Sequence, residues 1–215
     1  MNNKFIVIEG SEGVGKSTQI KNIEKYLLSN DIDYVLTREP GGTSFGESIR
    51  SIILDKENQT HELTDSLLFY AARYENYRKI IKPALQDGKT VICDRFHYST
   101  LIYQGIVGKN SMVIDLHKIF DHIFSEKIDY VLYLVASPEV SLKRIMRRDK
   151  TDKFESRGIE YLKELDIAYN SIFSDMKNVI EIDTSGEKKD TENKLLVSLD
   201  KIFTKNDWPT KNRWC

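Results

Sequence analysis

Phe5-Ile6-Val7-Ile8-Glu9-Gly10-Ser11-Glu12-Gly13-Val14-Gly15-Lys16-Ser17 is a short apolar run that breaks into a glycine-rich turn. Residues Gly10 to Ser17 fit the pattern G-x-x-x-x-G-K-[ST] without a mismatch. The flanks agree with it. A strand-like run (5–8) precedes it, and Ile20, Ile23 and Leu27 follow at helical spacing. Such a loop wraps phosphate oxygens, because a Cβ at its glycines would block the backbone's approach. Its N–H groups and the N-terminus of the following helix supply donors and positive potential. Lys16 is expected at the β- and γ-phosphates of a nucleotide, and Ser17 at a Mg²⁺ ion. Gly10, Ser11, Glu12, Gly13, Val14, Gly15 and Thr18 complete the expected ATP cradle.

Outward from the loop, two periods alternate. β-rich runs lie at 5–8, 33–37, 90–93, 129–136 and 179–182, nearly continuous in apolar residues. That is the pattern of parallel strands covered on both faces. Helical spacing occupies roughly 16–30, 44–56, 62–87, 110–126, 138–148, 158–178 and 188–205. The alternation predicts an α/β fold with a five-stranded parallel sheet flanked by helices. A length of 215 residues fits one domain, 1–215. The most hydrophilic stretch, 147–157, reads as a mobile excursion over the sheet.

Lys and Arg number 32 and Asp and Glu 33, a net charge of −1. No bulk field draws this chain to nucleic acid or to an acidic membrane, so an anionic ligand needs a local positive cluster. Cys93 and Cys215 make no disulfide framework, and Cys93 sits in an apolar run as a small core residue would. The longest apolar stretch, Tyr130 to Ala136, falls far short of the ~20 residues of a membrane helix. No signal peptide is visible. The expectation is a cytoplasmic protein with no nucleic-acid or membrane partner.

The phosphate loop alone does not choose among switch GTPases, motor ATPases and small-molecule kinases. No Asn-Lys-x-Asp guanine reader is present. Val91-Ile92-Cys93 does end in Asp94-Arg95. An Asp there can order a Mg²⁺ shell, and the Arg points at the crevice above the sheet. A structural ion pair is the alternative use of the two. Phe69 and Arg73 share a helix face, and a ring with a guanidinium suits a pyrimidine reader. Core packing is the alternative for that phenylalanine.

Thr37-Arg38-Glu39-Pro40-Gly41-Gly42-Thr43 with Gly46-Glu47 and Ile49-Arg50, Leu68-Phe69-Tyr70-Ala71-Ala72-Arg73, and Asp94-Arg95-Phe96 with Ser99-Thr100 and Tyr103-Gln104-Gly105 together resemble the ordered motifs of thymidylate kinases. The resemblance implies the nucleoside monophosphate kinase fold with a mobile lid, and the reaction MgATP + dTMP → MgADP + dTDP. It implies that Phe69 stacks on thymine, Arg73 bonds its O4 and Gln104 its edge near N3. Arg38, Arg50 and Arg95 would hold the monophosphate. Glu12 and Tyr103 would lie near the deoxyribose, Glu12 as a positioner rather than a base, and Ser99 and Thr100 would line the base pocket. Arg144 stands where the family's adenine-stacking arginine sits, and Thr184-Ser185 where the adenine edge is met. Homodimerisation is implied as well.

The chain also departs from the pattern. Gly13 fills a position where some relatives carry arginine, which shifts the expected catalytic charge to the lid, on Arg148. Lys153 replaces a second lid arginine. Tyr98 replaces an aspartate, and the unusual His97 is expected at the surface at the start of a helix. The tail 207–215 matches nothing, and Trp208 and Trp214 are expected to pack on the surface. Other readings are another nucleoside monophosphate or deoxynucleoside kinase, or a non-catalytic phosphate-loop module.

Overall fold

Five parallel strands, β1 (Phe5–Glu9), β2 (Tyr34–Arg38), β3 (Thr90–Asp94), β4 (Tyr130–Val135) and β5 (Val179–Asp183), form one sheet in the order β2-β3-β1-β4-β5. The computed structural model describes residues 3–55, 57–124, 128–148 and 153–204. Every residue of β1 is buried, as its unbroken apolar run requires. Its side chains alternate between two cores. Phe5 and Val7 pack with Val91, Cys93, Val131, Tyr169 and Phe173 on one face. Ile6 and Ile8 pack with Ile23, Leu27, Leu132, Leu195 and Leu199 on the other.

Helices α1 (Lys16–Ser29) and α9 (Lys188–Thr204) cover the second face. The first is covered by α3 (Glu62–Asn76) and α8 (Gly158–Phe173), with α2 (Ser44–Leu54) and α6 (Ser111–Phe124) outside or beside them. The single helix expected over 62–87 is α3, a π-helical turn (Tyr77–Ile81) and α4 (Lys82–Gln86) in unbroken succession. The π turn falls just before Pro83, whose ring would clash with a carbonyl in an α-helical register. α7 is Pro138–Ile145, begun by Ser137, whose side chain accepts from the Val140 amide.

The helix expected to start at His97, for which no span was expected, lies between β3 and α6: α5 (His97–Thr100) continued by a π-helical stretch (Leu101–Val107). It packs against α3, α6 and α8. His97 is therefore not a surface residue. It is fully buried, its ring stacked 5.1 Å from that of His117, because the helix it begins is enclosed by three others. Cys93 is buried as expected. Lys150, Trp208, Trp214, Cys215, the tail 207–215 and part of the 147–157 excursion lie outside the described residues.

Candidate active site

The order of strands reverses about β1, so β1 and β3 end side by side at the mouth of a crevice. The glycine-rich loop leaves β1 there and closes tightly. A Cβ on Gly13 would lie 2.4 Å from the carbonyl oxygen of Ser141 in α7, and its φ of +76° is itself a glycine conformation. Lys16 opens α1, and its Nζ donates to the carbonyls of Gly10 (2.9 Å) and Ser11 (2.7 Å). Enclosure by the loop lowers its pKa to about 8, with the nearby Arg95 charge acting in the same direction. Ser17 and Asp94 line the same crevice. Asp94 Oδ1 is buried without a hydrogen-bond partner among the described residues. A hard cation takes such oxygens, so the residues present fit Mg²⁺.

Arg144 ties the loop to the segment after β5. Its guanidinium donates to the carbonyls of Gly13 (3.3 Å) and Thr184 (2.6 Å). The Thr184 hydroxyl lies 2.8 Å from the Val14 carbonyl. The Ser185 amide caps Asp183 at 2.8 Å.

Across the crevice, Arg95 leaves β3 in a left-handed conformation (φ +65°) and reaches Glu12 at 2.7 Å. Its other nitrogen donates to Ser99 (3.2 Å) and Tyr169 (3.1 Å). The Tyr103 hydroxyl also donates to Glu12, at 2.7 Å, and burial pushes the Tyr103 pKa well up, so the phenol stays protonated. Beneath them lies Glu9, fully buried at the end of β1. It accepts from the Phe96 amide (2.9 Å), Ser99 (2.7 Å) and Tyr169 (3.0 Å).

Arg73 of α3 is 1% exposed. Its Nε donates to Glu39 at 2.5 Å, and its Nη2 to the Phe96 carbonyl (3.2 Å) and Thr100 (3.1 Å). Its Nη1 has no hydrogen-bond partner among the described residues. Phe69, Arg73, Thr100, Gln104 and Arg50 line the same crevice as Lys16, and Arg50 also donates to the Pro40 carbonyl at 3.0 Å.

Two expected substrate-side residues stand differently. Arg38 turns outward onto Glu47 (2.8 Å) and does not line the crevice. Lys153 pairs with Asp65 (3.0 Å) and Thr60 (3.3 Å) near the start of α3, away from the crevice wall. Arg148 does line the crevice, paired with Glu155. Sequence reasoning missed Glu9, Glu39 and Tyr169. An acid closing a buried strand was a signal for Glu9; only packing reveals the other two.

A phosphate loop facing an arginine-walled crevice across the switch point of a parallel sheet defines the class of P-loop phosphotransferases. The sequence profile of the thymidylate kinase family matches residues 8–195. A thymidylate kinase of Caldicellulosiruptor saccharolyticus is 37% identical over 95% of this chain and 100% of its own length. One from Francisella tularensis subsp. holarctica is 35% identical over 94% and 98%. The chain belongs to the thymidylate kinase family. Among the described residues no helix is long and apolar enough to cross a membrane.

Proposed function

We propose that this protein transfers the γ-phosphoryl group of ATP to dTMP, giving ADP and dTDP. The observation that carries this reading is the Arg73 guanidinium in the crevice wall, which is buried, held by Glu39, Thr100 and the Phe96 carbonyl, and left with Nη1 unpartnered among the described residues. A buried donor of that kind awaits an acceptor, and the O4 carbonyl of thymine is one. Phe69, one turn earlier on α3, supplies the stacking face, and Gln104 meets the base edge near N3.

Lys16 and the loop amides hold the donor's phosphates, with Arg144, Thr184 and Ser185 on the adenine side. Ser17 and Asp94 would hold Mg²⁺, which would supply charge neutralisation on the donor side. Arg50 and Arg95 receive the monophosphate, and Arg38 joins them by exchanging Glu47 for it. The attacking oxygen belongs to an ionised phosphate, so no strong base is needed. Glu12, already accepting from Arg95 and Tyr103, orients both. Positioning two reactants in line supplies up to ~7–11 kcal/mol of the barrier. Segment 147–157 of the single domain is the lid, and Arg148 brings charge to the transferring group on closure.

The functional unit is a homodimer in the cytoplasm. Phe45 and Ile52 of α2, Leu67 and Tyr74 of α3, and Ile119 of α6 expose apolar surface on three neighbouring helices, which a second copy would cover. A monomer by sedimentation at micromolar concentration would refute that pairing. A coupled ADP-release assay across dTMP, dUMP, dCMP, dGMP and AMP tests the activity. Turnover with dTMP exceeding the rest is the expected result. Preference for another acceptor would transfer the site to another monophosphate, and acceptor-independent ADP release alone would reduce the chain to an ATPase.

A further inference from the structure

On the far side of α5 from the crevice, three metal-ligating side chains converge. His97 begins α5, and His117 and Asp121 lie one turn apart on α6. Each offers one ligand atom, and these atoms all lie within 4.8 Å of one another. His97 Nε2 is 3.2 Å and His117 Nε2 3.9 Å from Asp121 Oδ1. None of the three lines the nucleotide crevice.

His97 Nε2 is hydrogen-bonded to Asp121 Oδ1, while the 3.9 Å from His117 Nε2 to that oxygen is too long for a hydrogen bond, so the second imidazole faces the carboxylate without bonding it. In a tetrahedral zinc site with metal–nitrogen distances of ~2.0–2.1 Å, ligand atoms stand about 3.3 Å apart. The two spacings to Asp121 Oδ1, 3.2 and 3.9 Å, bracket that value. The chemistry also fits. Two imidazoles and one carboxylate suit Zn²⁺ or Co²⁺ rather than Mg²⁺. The Tyr70 hydroxyl lies 3.2 Å from His117 Nδ1, an outer partner of the kind that orients a ligating imidazole. The Asp121 side chain is 39% exposed, which leaves solvent a route to a fourth position.

We infer that His97, His117 and Asp121 form a zinc-class metal site, distinct from the nucleotide crevice, that pins α5 to α6. α5 and its π-helical continuation carry Ser99, Thr100, Tyr103 and Gln104 into the crevice wall. The metal therefore stiffens the acceptor side without touching substrate.

The test titrates the full-length, chelator-treated protein, free of nucleotide, with Co²⁺ and then Zn²⁺. The expected result is one ion per chain, Co²⁺ bands of nitrogen and oxygen ligation, and a melting temperature raised by Zn²⁺. His117→Gln and Asp121→Asn should weaken binding at least about 100-fold and abolish that rise. Tyr70→Phe keeps the ring stacked 4.4 Å from Phe120 and should weaken binding about tenfold. Asp121 lies partly in solvent, so circular dichroism of Asp121→Asn should match the parent and make it the decisive variant. Unchanged affinity in Asp121→Asn overturns the proposal. So does the absence of binding, a thiolate charge-transfer band, or displacement of the ion by millimolar Mg²⁺.

Discussion

The hydroxyl of Tyr103 lies 2.7 Å from both carboxylate oxygens of Glu12, joining the π-helical wall of the crevice to the phosphate loop. This contact places a rigid, buried ring beside the position proposed for the deoxyribose. Tyr103→Phe should keep discrimination against the 5-methyl ribonucleotide of uridine monophosphate, because the ring remains. Tyr103→Ala should relax it. Steady-state kcat/KM for the two nucleotides decides, and equal ratios in the alanine variant and the parent would remove the crowding argument.

Arg73→Ala should raise KM for dTMP roughly 10- to 150-fold, the range for losing a charge-assisted hydrogen bond of ~1.5–3 kcal/mol. KM for ATP should stay near the parental value. A matched loss for both substrates would mean that the variant had merely disturbed the Glu39 pairing and the fold.

Arg148→Ala should lower kcat by roughly 10²–10³, the scale for removing one donor aimed at developing charge. KM for dTMP should hardly move. Lys153 pairs with Asp65 and should contribute less. Lys153→Ala and Asp65→Asn should each have a modest effect, and the double variant should be no worse than the worse single. Additive losses would show that Lys153 acts on the phosphates independently of Asp65.

Lys16 titrates at about 8 in the free enzyme. A triphosphate beside it favours the charged form and lifts that pKa. Above about pH 8 the complex therefore holds more protons than the free enzyme, so ATP binding takes up protons and weakens as pH rises. Calorimetry in two buffers of different ionisation enthalpy measures the uptake. No difference between the buffers at pH 9 would contradict the assignment.

Gly13→Ala should destabilise the protein by ~1–3 kcal/mol, the range for overpacking a tight contact, which lowers Tm by roughly 2–12 °C. Gly186 has nothing within 4 Å of a built Cβ. Gly186→Ala should melt within a degree or two of the parent, and thermal unfolding of both variants separates crowding from generic loss of glycine.

What was legible beforehand was local. The phosphate loop carries its chemistry within eight consecutive positions, and the buried strands declare themselves as short apolar runs. The helix at 97–107 did not, because its run of apolar residues is short, contains Gly105 and winds partly in a π register that no period of 3.6 detects. A helix start at His97 was expected, but its enclosure by α3, α6 and α8, which buries the ring, is set by packing and not by spacing. Glu39 and Arg73 meet across the fold, as do Lys153 and Asp65. Such partners are set by how α3 lies on the sheet, which residue spacing along the chain does not encode.

The contact between Gly13 and Ser141 has an evolutionary corollary. A loop arginine and a lid arginine look like interchangeable solutions, one substitution apart at position 13. In this fold they are not. The Ser141 carbonyl belongs to α7, whose Arg144 is also anchored on the Gly13 carbonyl. A side chain at 13 presses on that helix, and displacing it loosens the Arg144 anchor. Close packing of α7 on the loop thus sets an arginine at position 13 against the anchorage of Arg144.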